Sequence, residues 1–198
     1  MIFRILVLVL AMAKLASAQA VLEPPLGMKW GDRPERLIAW ADERKLDVSI
    51  DLPAASPHLR VIRLRRDKGT IPGVEASSIE ARYEDGRLIE ITVTRGGEGT
   101  DAESLEAAFH TERKRLAAEH GPLTANHQEK SVSNQFSTVT TSYHREPVRG
   151  LFLLIAFTRI EDLLRHQSEA ELSILYRNEN LRNLIVNDRA QDTSPDSR

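Results

Sequence analysis

The pattern of apolar and polar positions divides the chain into an N-terminal apolar run followed by two stretches of similar grammar. Leu37, Ile38 and Ala41 recur at helical spacing with Trp40 on the flank, opening at Asp32-Arg33-Pro34-Glu35, where Asp32 is placed to cap and Pro34 fits a first turn. That helix is expected to end near Lys45. A Pro- and Ser-containing loop (Leu52 to His58) leads into an expected strand from Leu59 to Arg66, and Gly69 to Gly73 reads as a turn. Ser78–Tyr83 and Arg87–Thr94 alternate as a β-hairpin. Placing Ile79 and Ala81 on the face of Ile89, Ile91 and Val93 requires a three-residue Glu84-Asp85-Gly86 loop pairing Ala81 with Ile89 and Ile79 with Ile91.

Gly96-Gly97-Glu98-Gly99 reads as a link, and Thr100-Asp101-Ala102-Glu103 as a capping box. The helix that follows lines up Leu105, Ala108, Phe109 and Leu116 and stops at Gly121-Pro122. Strands are expected at Gln135–Tyr143, Leu151–Phe157 and Ala170–Tyr176. Ile160–Gln167 fits either a helical turn or the continuation of a long hairpin. Leu181–Val186 reads as a short element packing back, and 187–198 as a polar, disordered tail. The expected fold is α+β in two layers: an antiparallel sheet with two main helices on one face. The halves, about 27–95 and 100–177, each read helix, strand, strand, strand, a possible α-β-β-β tandem repeat inside a single domain spanning 21–186.

The N-terminal run is a different kind of segment. Arg4 precedes nine unbroken apolar residues, Ile5 to Ala13, too short to span a bilayer, and Ala16-Ser17-Ala18 and Ala18-Gln19-Ala20 both fit the A-x-A cleavage pattern. Residues 1–20 are therefore expected to be a signal peptide, cleaved at 18/19 or 20/21, and the protein to be exported, periplasmic or secreted. No later run is long and apolar enough to cross a membrane as a helix.

Two of the 27 basic residues, Arg4 and Lys14, lie in that segment and none of the 29 acidic ones, so the remainder is more acidic than the whole chain, whose formal net charge is -2. Such a balance gives no global attraction to nucleic acid, and none is expected as a partner. The 198 residues include no cysteine, which excludes disulfides, thiolate metal sites and a cysteine nucleophile.

Gly27-Met28-Lys29-Trp30-Gly31-Asp32-Arg33-Pro34-Glu35-Arg36-Leu37, together with the order of elements, resembles small exported α+β modules: the outer-membrane-assembly lipoproteins of the SmpA/OmlA type and the β-lactamase-inhibitor-protein-like fold. The resemblance covers about a dozen residues and implies a binding or scaffolding module without catalysis. The chain departs from the first in lacking the lipid-bearing cysteine and from the second in lacking the disulfide-forming ones.

No motif supplies catalytic residues, a metal site or a cofactor site. The serines form no G-x-S-x-G elbow, and Gly96–Gly99 lacks the Lys and Ser/Thr of a phosphate loop. The six histidines, His58, His110, His120, His127, His144 and His166, lack ligand spacing. Candidate partner-binding residues are Trp30, in the entry segment; Arg63 and Arg65, in a basic run with Arg60, Arg66 and Lys68 that either attracts an acidic partner or guards an edge strand; and the polar cluster Glu161, Asp162, Arg165 and His166. Glu161-Arg165 also fits a helical i,i+4 pair. Leu151–Phe157 is apolar on both alternating sets, so its second side needs a cover: the chain's own Leu181, Leu184 and Ile185, a partner, or a second copy in a homodimer. The expected function is a non-enzymatic binding or scaffold module with an unknown protein or envelope partner. The alternatives are a small periplasmic hydrolase using Glu161 and Asp162, or a homodimeric structural protein.

Overall fold

A computed structural model describes residues 22–66, 69–97, 99–165 and 167–192. The expected signal segment and cleavage sites, Lys68, Glu98, His166 and 193–198 lie outside the described residues. In chain order the elements are α1 (Pro34–Asp42), β1 (Asp47–Asp51), β2 (Leu59–Arg65), β3 (Ser78–Glu84), β4 (Arg87–Gly97), α2 (Ala102–His120), β5 (Thr124–Ala125), β6 (Glu129–Val132), β7 (Phe136–Val148), β8 (Leu151–Asp162), β9 (Gln167–Asn178) and α3 (Glu179–Asp192). The nine strands form one sheet ordered β1-β2-β3-β4-β9-β8-β7-β5, with β6 also pairing β7, and every pairing is antiparallel. The architecture is thus α+β: a nine-stranded antiparallel sheet with three helices among the described residues.

Alternation segregates the sheet's residues. Ile62, Leu64, Ile79, Ala81, Tyr83, Leu88, Ile91, Val93, Leu153, Ile155, Phe157, Leu172, Ile174 and Tyr176 share one buried cluster with Leu37 and Ala41 of α1 and Leu105, Phe109 and Leu116 of α2. α2 packs over β7, β8 and β9, and the Phe109 ring lies 5.8 Å from Phe157 and 6.0 Å from Tyr143. Trp30 seals the entry segment onto this cluster, and its Nε1 donates to the Leu22 carbonyl at 2.7 Å.

Several local expectations are corrected. The β3–β4 turn is the two-residue Asp85-Gly86, with both residues at positive φ (46° and 73°), the geometry a type I′ turn requires. Glu84 pairs with Arg87, Ala81 with Ile91 and Ile79 with Val93, and a bulge between Arg82 and Tyr83 passes over Ile89. The bulge turns Leu88 into the core and Ile89 to the opposite face, which reconciles the short turn with the buried pattern. α2 is capped by Asp101, whose carboxylate accepts from Glu103 N and Ser104 N, rather than by Thr100. Asp32 does not cap α1; it accepts from Lys29 N at 2.7 Å, while Arg33 occupies the cap position and Pro34 the first turn.

Ile160 to Asp162 and Gln167 continue the β8–β9 hairpin, with a turn at Leu163–Arg165, in place of the alternative helical turn. Residues 187–192, expected to be disordered, are the last turns of α3; Arg189 anchors this end of the helix to Glu84 and Asp85, contacts 104 and more residues distant in sequence. β1, β5 and β6, also unanticipated, are edge segments with mostly exposed side chains and therefore little periodicity to read.

At Gly96 the sheet allows no side chain: φ is +96°, and a Cβ would strike the Ala170 carbonyl oxygen and lie 2.7 Å from Leu105 Cδ2. Gly96→Ala is expected to destabilise the protein by about 2–4 kcal/mol, from backbone strain plus overpacking, read as a lowered urea midpoint at unchanged slope.

Candidate functional site

The face of the sheet opposite the core cluster is built by register. One row across the strands runs Asp51, Val61, Arg82, Glu90, Arg177, Phe152; the row beside it runs Ser49, Arg63, Glu80, Thr92, Leu175, Leu154, His144. Side chains in one row are neighbours across strands, and those in adjacent rows lie about 7 Å apart along each strand. The charged members alternate in sign. Arg63 Nε donates to Glu80 at 2.7 Å, with Asp51 3.7 Å from its Nη1. Arg82 Nε lies 3.2 Å from both Glu80 and Glu90. Arg177 donates to Glu90 through Nε and to Glu179 through Nη1 at 3.2 Å, and Arg182 lies 3.5 Å from Glu179. Glu90 is buried, and its charge is held by a guanidinium on each oxygen.

α3 reaches this face from the end of β9. It packs against β4 and β8 and buries Ile185. Of the three residues expected to cover the second side of β8, Ile185 is buried, Leu181 is partly buried and Leu184 is 53% exposed. Phe152 and Leu154 stay partly accessible, and the His144 ring stacks on Phe152 at 5.9 Å. The far end of α3 is tied down by Arg189, which donates to Glu84 and to Asp85 Oδ2 (Nη2 at 2.7 Å, Nε at 3.0 Å), while His58 Nδ1 meets Asp85 Oδ1 at 3.0 Å. Burial opposes ionisation of Asp85, but hydrogen bonding and charge from Arg189 and from His58 outweigh it and hold its carboxyl below the usual range.

Between α3, the β1–β2 loop and the sheet lies a cleft of about 490 Å³, whose walls include Arg82, Glu90, Arg177, Arg182, Ile89 and Val186. Its walls set ordered guanidinium and carboxylate groups beside the apolar side chains of Ile89 and Val186. Among the described residues no group of three potential metal ligands is assembled, and no helix is long and apolar enough to cross a membrane.

The residues singled out from sequence fall in three separate places. Trp30 is engaged in packing the entry segment. Arg63 is part of the charge ladder, whereas Arg65 is exposed and borders a shallow recess at the β1 edge with Asp47, Ser49 and Arg66. Glu161, Asp162 and Arg165 sit at the β8–β9 turn, ten residues along β8 from Phe152 and so about 33 Å away. Asp162 Oδ1 accepts from Leu164 N at 2.9 Å and Arg165 N at 3.0 Å, and the Arg165 amide foremost holds its carboxyl below the usual range. Arg165 thus turns toward Asp162, at 4.0 Å, rather than forming a helical pair with Glu161. The cleft residues Arg82, Glu90, Arg177, Arg182 and Arg189 were not legible individually. The signal was the i,i+2 alternation Glu80, Arg82, Glu84, which becomes a ladder only once the neighbouring strands are known.

Compared with known protein families, with curated proteins and with solved structures, the chain shows no match in any of the three.

Removing one member of the ladder leaves Glu90 under-compensated. Arg177→Met is expected to destabilise the protein by about 2 kcal/mol. Adding Glu90→Gln should recover part of the loss, with a coupling of about 1 kcal/mol in a double-mutant cycle by denaturant unfolding. For Asp85 the folded carboxyl titrates below its unfolded value. Its contribution is therefore complete above the unfolded pKa and lost as pH falls through the folded one. The stability gap between the parent chain and Arg189→Met should narrow below about pH 4, measured by unfolding midpoints across pH.

Proposed function

We propose that this chain is an exported, non-enzymatic binding or scaffold module that holds a partner protein against the outer face of its sheet. The observation that carries the reading is the composition of that face. A large antiparallel sheet with one side on a core ordinarily turns simple polar residues outward. Here Phe152, Leu154 and Leu175 lie partly accessible beside an ordered charge ladder and a cleft roofed by α3. Apolar surface rimmed by fixed charges is the makeup of an interface. The signal-like N-terminus supports export. The resemblance of Gly27–Leu37 to small exported binding modules, and the reading of the two halves as an α-β-β-β tandem with two helices on one face, support the same role.

The test is capture from the envelope fraction of the source cells on the immobilised chain. A partner should be retained by the parent chain and by Glu161→Ala/Asp162→Ala, and its recovery should fall about tenfold with Leu154→Glu, provided that variant keeps its thermal transition. Substrate turnover by the parent chain that disappears in Glu161→Ala/Asp162→Ala would instead establish the hydrolase alternative. Concentration-dependent dimerisation abolished by Leu154→Glu would establish the homodimer.

A further inference from the structure

The charge ladder ends on a cation, Arg182, inside the cleft. Arg82, Arg177 and Arg182 are strung on two carboxylates, Glu90 between the first pair and Glu179 between the second. Arg82 also meets Glu80, which it shares with Arg63 outside the cleft, and the cleft wall itself carries four guanidinium groups, Arg82, Arg177, Arg182 and Arg189, against the carboxylates of Glu84, Glu90 and Glu179. Arg82 is engaged only through Nε, Arg177 through Nε and Nη1, and Arg182 through Nη1. The two Nη groups of Arg82, Nη2 of Arg177, and Nη2 and Nε of Arg182 donate to no acceptor among the described residues. Those of Arg82 and Arg177 are prepositioned donors: hydrogen-bonded carboxylates already fix their guanidinium planes, so an incoming anion orders less side-chain freedom than it would on unrestrained arginines, while Arg182 is held near them by its ion pair with Glu179. The remaining carboxylate of the wall, Glu84, is taken up by Arg189.

Beside this row, two residues along each strand, lie Leu175 and Leu154 on the same face. A peptide laid along the strands repeats at the same spacing, about 7 Å per two residues. Its side chains j and j+2 would therefore fall on the guanidinium row and the leucine row.

We propose that the cleft takes the side-chain carboxylate of an acidic residue on an extended peptide, with an apolar residue two positions away lying over Leu175 and Leu154. The inference rests on the binding-module reading and names the partner's chemistry. A single negative charge extends the alternation beyond Arg182 and offsets the one-cation excess of the cleft wall. A phosphate dianion brings twice the charge against Glu84, Glu90 and Glu179, which also line the cleft, so a carboxylate is the better fit.

The test is titration of the full chain with Ac-Ser-Glu-Ser-Leu-Ser-NH2, followed by NMR of backbone amides and arginine Nε–H groups. The expected result is saturable shifts at Arg82, Arg177 and Arg182 and at Leu175 and Leu154. Replacing the peptide's Glu by Gln should weaken binding about tenfold, as should Arg182→Gln in the protein. Arg182 is half exposed and leaves both guanidinium contacts to Glu90 in place, so this variant keeps the fold. Arg82→Gln, checked by its thermal transition, provides a second variant.

Absence of saturable shifts at the cleft, equal affinity for the Gln peptide, or displacement of the peptide by an equal concentration of inorganic phosphate would each overturn the proposal. The two readings fail separately. A partner captured by the parent chain and lost with Leu154→Glu, alongside a peptide that does not bind, leaves the binding module standing and removes the acidic-peptide assignment. Loss of both removes both.

Discussion

The antiparallel ladder between β4 and β9 is what makes one molecule out of two meanders. Strands β1 to β4 fold on themselves, as do β6 to β9, and the residue pairs from Glu90–Arg177 to Gly97–Ala170 join them. On one side of that seam Ile91 and Val93 meet Tyr176 and Ile174 in the shared core. On the other, Glu90 meets Arg177 and connects the charges contributed by both meanders. The bulge at Ile89 sits immediately before the seam. It lets Leu88 enter the core and exchange backbone hydrogen bonds with Gly31 and Asp32, without moving Glu90 out of register. Register at this seam therefore fixes the buried cluster and the charge ladder together, because a one-residue slip would carry every side chain to the opposite face.

Features whose cause is local were legible in the sequence. The second helix is signalled by the Thr100–Glu103 capping sequence, in which Asp101 rather than Thr100 is the cap, by a spaced apolar stripe and by a Gly-Pro stop; β7 and β9 are signalled by alternation and β8 by an unbroken apolar run. The hairpin at Asp85-Gly86 shows how a correct rule can mislead. The buried pattern demands a common face and the Asp-Gly pair a short turn, and a bulge satisfies both where alternation alone predicts a longer loop. The edge strands carry almost no pattern, since β1 and β6 are exposed on most positions and pair on one side only. The tail of α3 was hidden for a related reason: its stability comes from Arg189 reaching a turn more than a hundred residues away. The site was least visible of all. Arg63 reads from the sequence as basic surface, but Arg82, Glu90 and Arg177 belong to three strands, and only cross-strand pairing makes them one unit.

α3 is an unusual roof. It is polar around most of its circumference, buries Ile185, and is otherwise fastened by Asn180 to the Arg149 carbonyl, by Glu179 to Arg177, and by Arg189 to the β3–β4 turn. A helix held mainly at its ends by ion pairs and hydrogen bonds is less firmly seated than one laid on an apolar stripe, and opens at lower free energy than the sheet beneath it. The size of the cleft accordingly depends on ionisable groups more than on packing.

The outermost strand at the other margin has its own logic. β1 reads Asp-Val-Ser-Ile-Asp, centred on Ser49, and among the described residues no further strand lies beyond it. Were two molecules to zip together there, head to tail about that serine, each Asp47 would be brought opposite an Asp51 of its neighbour, a like-charge clash repeated at both ends of the join. The palindrome of acids thus acts as a fender against edge-to-edge pairing of two copies at this margin.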